Sequence, residues 1–294
     1  MTRVVHLPLI TGCSGRLGRV LSELIENEYS ETFPEAVFAT RDEIDITDYF
    51  RLCSEMERIA PTVVVNCAAY AHVDGCETNR DQATIVNTEG ARNVARAAHA
   101  VGARIIQIST DLVFDGAGDE PYREEDPPNP LSHYAATKLD GERAVMEENP
   151  DHVILRSSWF YGPWPGNRYP EVFLTMLKEE RRFKVVSDRI GSPTYLSDLA
   201  RAIVNVMVTP YRGLLHFANS GEPTSRYHLL KELAAHLGID TRPMSPIPGA
   251  AWTEDVAPRP SFSALDPGRY AGVTGHRPRS WRATFEDYAK ERSG

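Results

Sequence analysis

Apolar residues in this chain fall into two kinds of pattern that alternate along its length. Short, nearly unbroken runs occupy residues 4–10, 36–40, 61–67 and 152–159; another closes on Gln107-Ile-Ser-Thr110, and a shorter one lies at 213–218. A strand covered on both faces reads in this way, because neither side of its pleat meets water. Between the runs, residues 18–28, 87–101, 171–180, 196–208 and 227–237 carry apolar side chains at helical spacing. Around the second of these, Val86, Val94, Ala97 and Ala98 fall on the inner side, with Arg92, Arg96 and His99 outside. Buried strands separated by helices point to an α/β protein with a parallel sheet.

Punctuation refines the picture. Pro8 interrupts the first run, and a proline has no amide to give to a ladder, so a late start or a local distortion is expected there. Residues 115–130 are rich in proline, glycine and acids and predict a surface loop. Residues 243–260 carry many prolines and predict a second, and no internal repeat is visible.

Composition changes the picture mainly by exclusion. With 294 residues and 41% hydrophobic content the chain can bury a large core, as one large domain or two small ones. Acidic residues number 41 against 32 basic, a net charge of -9, so no footprint for nucleic acid appears. Cys13, Cys53, Cys67 and Cys76 form no CxxC pair and have no histidine at ligand spacing, which reads as reduced thiols with neither metal nor disulfide framework. Neither a signal-like start nor an apolar run of membrane-spanning length is present, and the expectation is a soluble, cytoplasmic protein with no membrane partner.

The candidate chemistry sits in the middle of the chain. Tyr134-Ala-Ala-Thr-Lys138 places a phenol and an ammonium one helical turn apart on one face. An unperturbed phenol, with a pKa of ~10, is a poor acid or base near neutrality, and a fixed cation beside it favours the phenolate. Lys138 is read as that cation, pulling Tyr134 toward the working pH. Upstream, Thr110 ends a buried strand, where a hydroxyl at the carboxyl edge of a sheet can hydrogen-bond a substrate carbonyl oxygen. Near the start, Gly12-Cys-Ser-Gly15-Arg-Leu-Gly18 follows a strand and opens a helix. A loop of that kind lets backbone approach a pyrophosphate while the helix aims its first amides at the charge, which assigns Gly12, Ser14, Gly15, Arg16, Leu17 and Gly18 to a cofactor.

Together these segments resemble the extended short-chain dehydrogenase/reductases and, within them, the dTDP-4-dehydrorhamnose reductase family. The likeness runs in order through Val63-Val-Val-Asn66, Val73-Asp74 with Glu77, Ser109-Thr110-Asp111, Pro121-Tyr-Arg-Glu124, Tyr134 and Lys138, Arg156-Ser-Ser-Trp159, Gly166-Asn167, Asp188-Arg-Ile-Gly-Ser-Pro-Thr194 and Arg259-Pro260. It implies a Rossmann-type doubly wound parallel sheet with a smaller α/β C-terminal substrate lobe. On that reading residues 1–160 form the NAD(P)-binding domain, 195–220 return to it, and 161–294 are mostly the substrate lobe.

The resemblance also implies roles. The catalytic set is Thr110, Tyr134 and Lys138, with hydride delivered to a sugar carbonyl, Tyr134 giving the proton and Lys138 holding the nicotinamide ribose; Tyr134 and Lys138 both count among the cofactor-binding residues. Arg41 stands where an acidic residue would hold an adenosine ribose hydroxyl, and a guanidinium there suits a 2′-phosphate. NADP is therefore expected, with Arg16 assisting, while Asp42 leaves NAD open. Asp45 and Ile46 correspond to an adenine contact, and Cys67, Ala68, Ala69 and Tyr70 to a loop along the cofactor. Asn87 matches an asparagine near the active site and reads equally as a helix cap. Val73, Asp74, Thr110, Asp111, Tyr134, Trp159, Asn167 and Arg189 are assigned to a nucleotide-sugar, Trp159 reading also as a core residue.

The expected reaction is NADPH-dependent reduction of dTDP-4-dehydro-L-rhamnose to dTDP-L-rhamnose. Two other readings stay open: a nucleotide-sugar epimerase or dehydratase, and a non-catalytic subunit resembling the regulatory subunit of methionine adenosyltransferase. A homodimer is compatible with the chain, as is a monomer.

Overall fold

The computed structural model describes residues 7–162 and 169–293. It opens with β1 (Pro8–Thr11), α1 (Arg16–Glu28), β2 (Val37–Ala39), α2 (Tyr49–Ile59) and β3 (Val63–Asn66). Short helices α3 (Val73–Thr78) and α4 (Arg80–Thr84) lead through a π-helical turn at Ile85–Glu89 into α5 (Gly90–Ala100). Then come β4 (Arg104–Thr110), α6 (His133–Glu148) and β5 (His152–Ser157).

The remainder is more finely divided: β6 (Phe160–Tyr161), α7 (Glu171–Lys178), β7 (Phe183–Val186), β8 (Ile190–Gly191), β9 (Thr194–Tyr195) and α8 (Leu196–Met207). It continues with β10 (Gly213–Phe217), β11 (Thr224–Ser225), α9 (Arg226–His236), β12 (Met244–Ile247), α10 (Gly268–Thr274) and α11 (Phe285–Ser293). No helix among the described residues is long and apolar enough to cross a membrane.

Six strands form one parallel sheet in the order β10-β5-β4-β3-β1-β2. One face is covered by α1, α8 and α10, with Ile10, Leu21, Ile106, Leu155 and Ile203 in its core. The other packs against α2, α5 and α6 through Leu9, Leu52, Val64, Val94, Ile105 and Val145. Adjacent residues of β1 and β4 thus feed opposite layers, which is why the runs are apolar without alternation. The topological switch lies between β1 and β3, and a crevice at the carboxyl ends of such strands is where ligands settle in sheets of this kind.

A third core gathers Tyr161, Tyr195, Leu229, Leu230, Leu233, Trp281 and Tyr288 beneath the small paired strands. The chain crosses between the two parts more than once, because α8 packs on α1 and β10 adds the last strand of the main sheet beside β5.

Pro8 is the first residue of β1. The strand thus starts late in the 4–10 run, as the proline predicts: Pro8 faces Val63 on β3, whereas pairing with β2 begins at Leu9. The expected helix over 87–101 is in two parts, since the π turn holds Asn87 and the regular helix starts at Gly90.

Candidate active site

The loop after β1 is built for close approach. Gly12 has φ +74°, and a Cβ there would lie 2.6 Å from the Ala68 amide nitrogen, so the turn and the strand end beside it pass almost in contact. At Gly18 a Cβ would run into the Gly12 carbonyl, and glycine lets α1 start directly beneath the loop. Gly15 caps α1 with extended backbone and no side-chain hydrogen bond, while Ser14 and Gly15 are exposed. With glycine at the cap, the first amides of a 13-residue helix are left without a capping side chain from Gly15, which fits a diphosphate-bearing cofactor. Leu17, by contrast, is in the core.

Beyond β2, Arg41 is exposed and pairs with Asp45 at 3.2 Å. Asp45 also accepts from the Thr47 amide and hydroxyl, at 2.9 and 2.7 Å. Ile46 is 4% exposed and packs on Gly90, so its side chain belongs to the core. Its assignment to adenine leaves only backbone available. Asn87 is fully used by the protein: its carbonyl accepts from the Tyr70 amide at 2.9 Å, and its amide donates to the Tyr70 carbonyl and the Thr137 hydroxyl at 3.2 Å each. It ties the loop after β3 to α6, and glycine at 141 lets α6 lie against the Asn87 carbonyl.

Ser132 caps α6, accepting from the Ala135 amide, and Glu77 accepts from the His133 amide at 2.6 Å. With its start held on both sides, the helix presents Tyr134 and Lys138 to the end of β4. The half-buried Tyr134 phenol and the Thr110 hydroxyl are hydrogen-bonding neighbours. Burial, then the Asp111 carboxylate, push the phenol above its ordinary value, and Lys138 is not among the groups acting on it. The expectation that Lys138 draws Tyr134 toward neutrality is thereby corrected. Lys138 instead donates to the Ile108 carbonyl at 2.7 Å, and burial lowers it to about 8 against the opposing charges of Glu142 and Cys67.

Asp111 is 3% exposed, accepts from Ser263 at 2.5 Å and from Thr110 at 3.2 Å, and is raised by burial to about 6. Near neutrality the site therefore holds a neutral phenol beside a hydroxyl, with a buried ammonium one turn away and a carboxylate behind the hydroxyl. That set can deliver a proton to an oxygen that gains negative charge.

The residues assigned to substrate are distributed differently. Asp74 accepts from the Val256 and Ala257 amides and pairs with Arg259 at 2.9 Å, fastening the 252–260 segment beside α3, where Val73 is half-buried. Arg189 is engaged by Asp255. Trp159, at φ +43°, is half-buried, and a Cβ at Gly191 would come within 2.6 Å of its ring. Asn167 lies outside the described residues.

Residue-by-residue reading missed Arg226. Its guanidinium lies 5.3 Å from the ring centroids of both Trp159 and Tyr169, and it acts electrostatically on Asp111. In the sequence it only adjoins the helix expected over 227–237, and nothing local pairs it with a tryptophan so far away. Ser263 was missed for the same reason.

A family model described as the RmlD substrate binding domain matches residues 7–293. A spore coat polysaccharide biosynthesis protein of Bacillus subtilis is 35% identical, over 100% of this chain and 99% of the relative. A dTDP-4-dehydrorhamnose reductase of Streptomyces griseus is 37% identical over 95% of this chain and 91% of its own length. Among solved structures, the dTDP-4-dehydrorhamnose reductase of Bacillus anthracis in complex with NADP superposes with a TM-score of 0.91 at 32% identity, covering 98% of this chain and 99% of that one.

Proposed function

Since the chain belongs to the dTDP-4-dehydrorhamnose reductase family of extended short-chain dehydrogenase/reductases, we propose that it reduces the 4-keto group of a dTDP-sugar with NADPH, converting dTDP-4-dehydro-L-rhamnose to dTDP-L-rhamnose. The observation that carries the reading is the meeting of Tyr134 and Thr110 at the end of β4, with Lys138 anchored one turn on.

Bound NADPH supplies the hydride. The Gly12–Gly18 loop and the first amides of α1 would hold its diphosphate, and Arg41 its 2′-phosphate. The two ammonium protons of Lys138 that do not face Ile108 would serve the ribose hydroxyls.

Thr110 would turn its one hydroxyl proton from Asp111 to the sugar carbonyl and so orient it. Tyr134 transfers its phenolic proton to the alkoxide oxygen as that charge develops, so the ketone becomes an alcohol and the tyrosine a phenolate. Burial favours this direction, because a phenol kept above its ordinary pKa carries its proton throughout the neutral range. Trp159 and Arg226 would close the sugar's far side with a ring and a cation.

The test is loss of reduced-nicotinamide absorbance with dTDP-4-dehydro-L-rhamnose, run with NADPH and NADH in parallel. Faster loss with NADPH is expected. Tight cofactor binding with no loss on any dTDP-4-keto sugar would overturn the assignment.

A further inference from the structure

Behind Tyr134 and Lys138, α6 presents a third polar residue at the same spacing, Glu142. It is 1% exposed, and both carboxylate oxygens are engaged. Oε1 accepts from the Ser109 hydroxyl and from Arg156 Nε at 2.9 Å, and Oε2 accepts from Arg156 Nη2 at 2.6 Å. Ser109 and Arg156 stand opposite each other in the β4–β5 ladder, and His216 stands opposite Arg156 on β10. A polar row therefore crosses three strands beneath the catalytic helix.

Stability gives no reason for such a row. Burying an ion pair costs several kcal/mol per ion, and a well-packed apolar set of similar volume is often as stable or more so. The contacts do have a geometric consequence. Three residues spaced one turn apart on α6 meet three consecutive residues of β4: Tyr134 meets Thr110, Lys138 meets the Ile108 carbonyl, and Glu142 meets Ser109. Arg156 then locks the third contact to the next strand.

We propose that Glu142 is a positioning residue of the active site, its clamp by Ser109 and Arg156 fixing the Tyr134–Lys138 face of α6 against the strand that carries Thr110. The inference rests on the reductase reading of that face. Glu142 also acts through charge, opposing the burial that lowers Lys138, and Cys67 beyond β3 acts in the same sense. Asp111 and Cys76 act on Tyr134, and His216, kept neutral by burial and by Arg156, stands at the far end of the row.

Three variants of the full chain test this. Glu142→Gln keeps the side-chain shape and removes the charge. Glu142→Gln combined with Arg156→Gln removes both charges, so no buried guanidinium is left alone if the single variant fails to fold. Glu142→Asp keeps the charge and withdraws it by one methylene. NADPH affinity, kcat, KM and the pH profile are measured for each, together with the pH midpoint for acetylation of Lys138, read by mass spectrometry without turnover.

In the Gln variants kcat falls about ten- to a hundred-fold while KM for the sugar and NADPH affinity stay within about two-fold. The Lys138 midpoint and the alkaline limb move to lower pH, and Glu142→Asp restores both while kcat stays depressed. A double variant with wild-type kcat, limb and midpoint overturns the proposal, as does a loss of kcat that merely tracks the loss of folded protein. Wild-type protein that reduces no 4-keto sugar, with a Lys138 midpoint that still moves in the variants, overturns the reductase reading and leaves the clamp standing.

Discussion

Lys138 and Ile108 join α6 to β4: the ammonium donates to the backbone carbonyl at 2.7 Å from a residue that is 5% exposed. The contact holds the cation in place before any ligand arrives. It also leaves the ammonium with little water, and Lys138 titrates near 8 in consequence.

Turnover is accordingly expected to fall on an alkaline limb. Below about 8 Lys138 is charged, and above it the ammonium loses its proton and with it the ability to donate to ribose hydroxyls. A profile of kcat/KM against pH reads this directly. Lys138→Met should lower kcat about a hundred-fold or more and abolish the limb. A wild-type profile flat through pH 8 would count against the role.

Replacing Tyr134 by Phe removes the proposed proton donor while keeping the ring. The expected loss in kcat is about 10²- to 10⁴-fold with NADPH binding preserved, the range for a positioned general acid. Thr110→Val should cost less, because it removes an orienting hydrogen bond and leaves the proton. Full turnover by the Phe variant would require another acid, and Asp111 is the group to examine next.

Arg41→Ala tests cofactor choice. KM for NADPH is expected to rise about ten-fold with little change for NADH, since the substitution removes a contact that only the 2′-phosphate can use. The exposed Asp45 pair adds little stability, so the fold should be unaffected. Equal effects on both cofactors would show that Arg41 does not read the phosphate.

His216 makes the fold acid-sensitive. Burial and the Arg156 charge hold it to about 3 against an ordinary 6.5, so between these values the unfolded chain binds a proton that the native one does not. Stability present above 6.5 is lost as the pH falls toward 3, by about 1.4 kcal/mol per pH unit inside that window. His216→Asn, which retains a donor for the Tyr122 carbonyl, should flatten the acid side of a plot of Tm against pH. An unchanged slope would place the acid sensitivity elsewhere.

Gly141→Ala should destabilise the chain by about 1–3 kcal/mol, because the added methyl meets the Asn87 carbonyl and the helix has to lift. As α6 carries Tyr134 and Lys138, kcat should fall together with Tm. Thermal melts beside kinetics check both, and a stable, fully active variant would show that α6 tolerates displacement.

How much of this could be read in advance depends on range. The glycine loop, the Tyr134–Lys138 spacing and the buried strands are local features: one turn, one helical repeat or one run of apolar residues suffices to recognise them. The direction of the Tyr134 shift was not legible, because it arises from burial and from Asp111 and not from its helical neighbour Lys138. That Asp74 holds the 252–260 segment was not legible either, because the contact with Arg259 spans 185 positions. That the Ile46 side chain is core, leaving its backbone for any nucleotide contact, is revealed only by its burial against Gly90.

From the order of residues came the buried strands, the glycine loop and the Tyr134–Lys138 pair, each depending on atoms a few positions apart. Folding settled what surrounds them: which carboxylate faces Tyr134, what clamps Glu142, and that Arg226 lies against Trp159. These follow from strands and helices brought together across long separations, and desolvation and charge take their values only once that packing is complete.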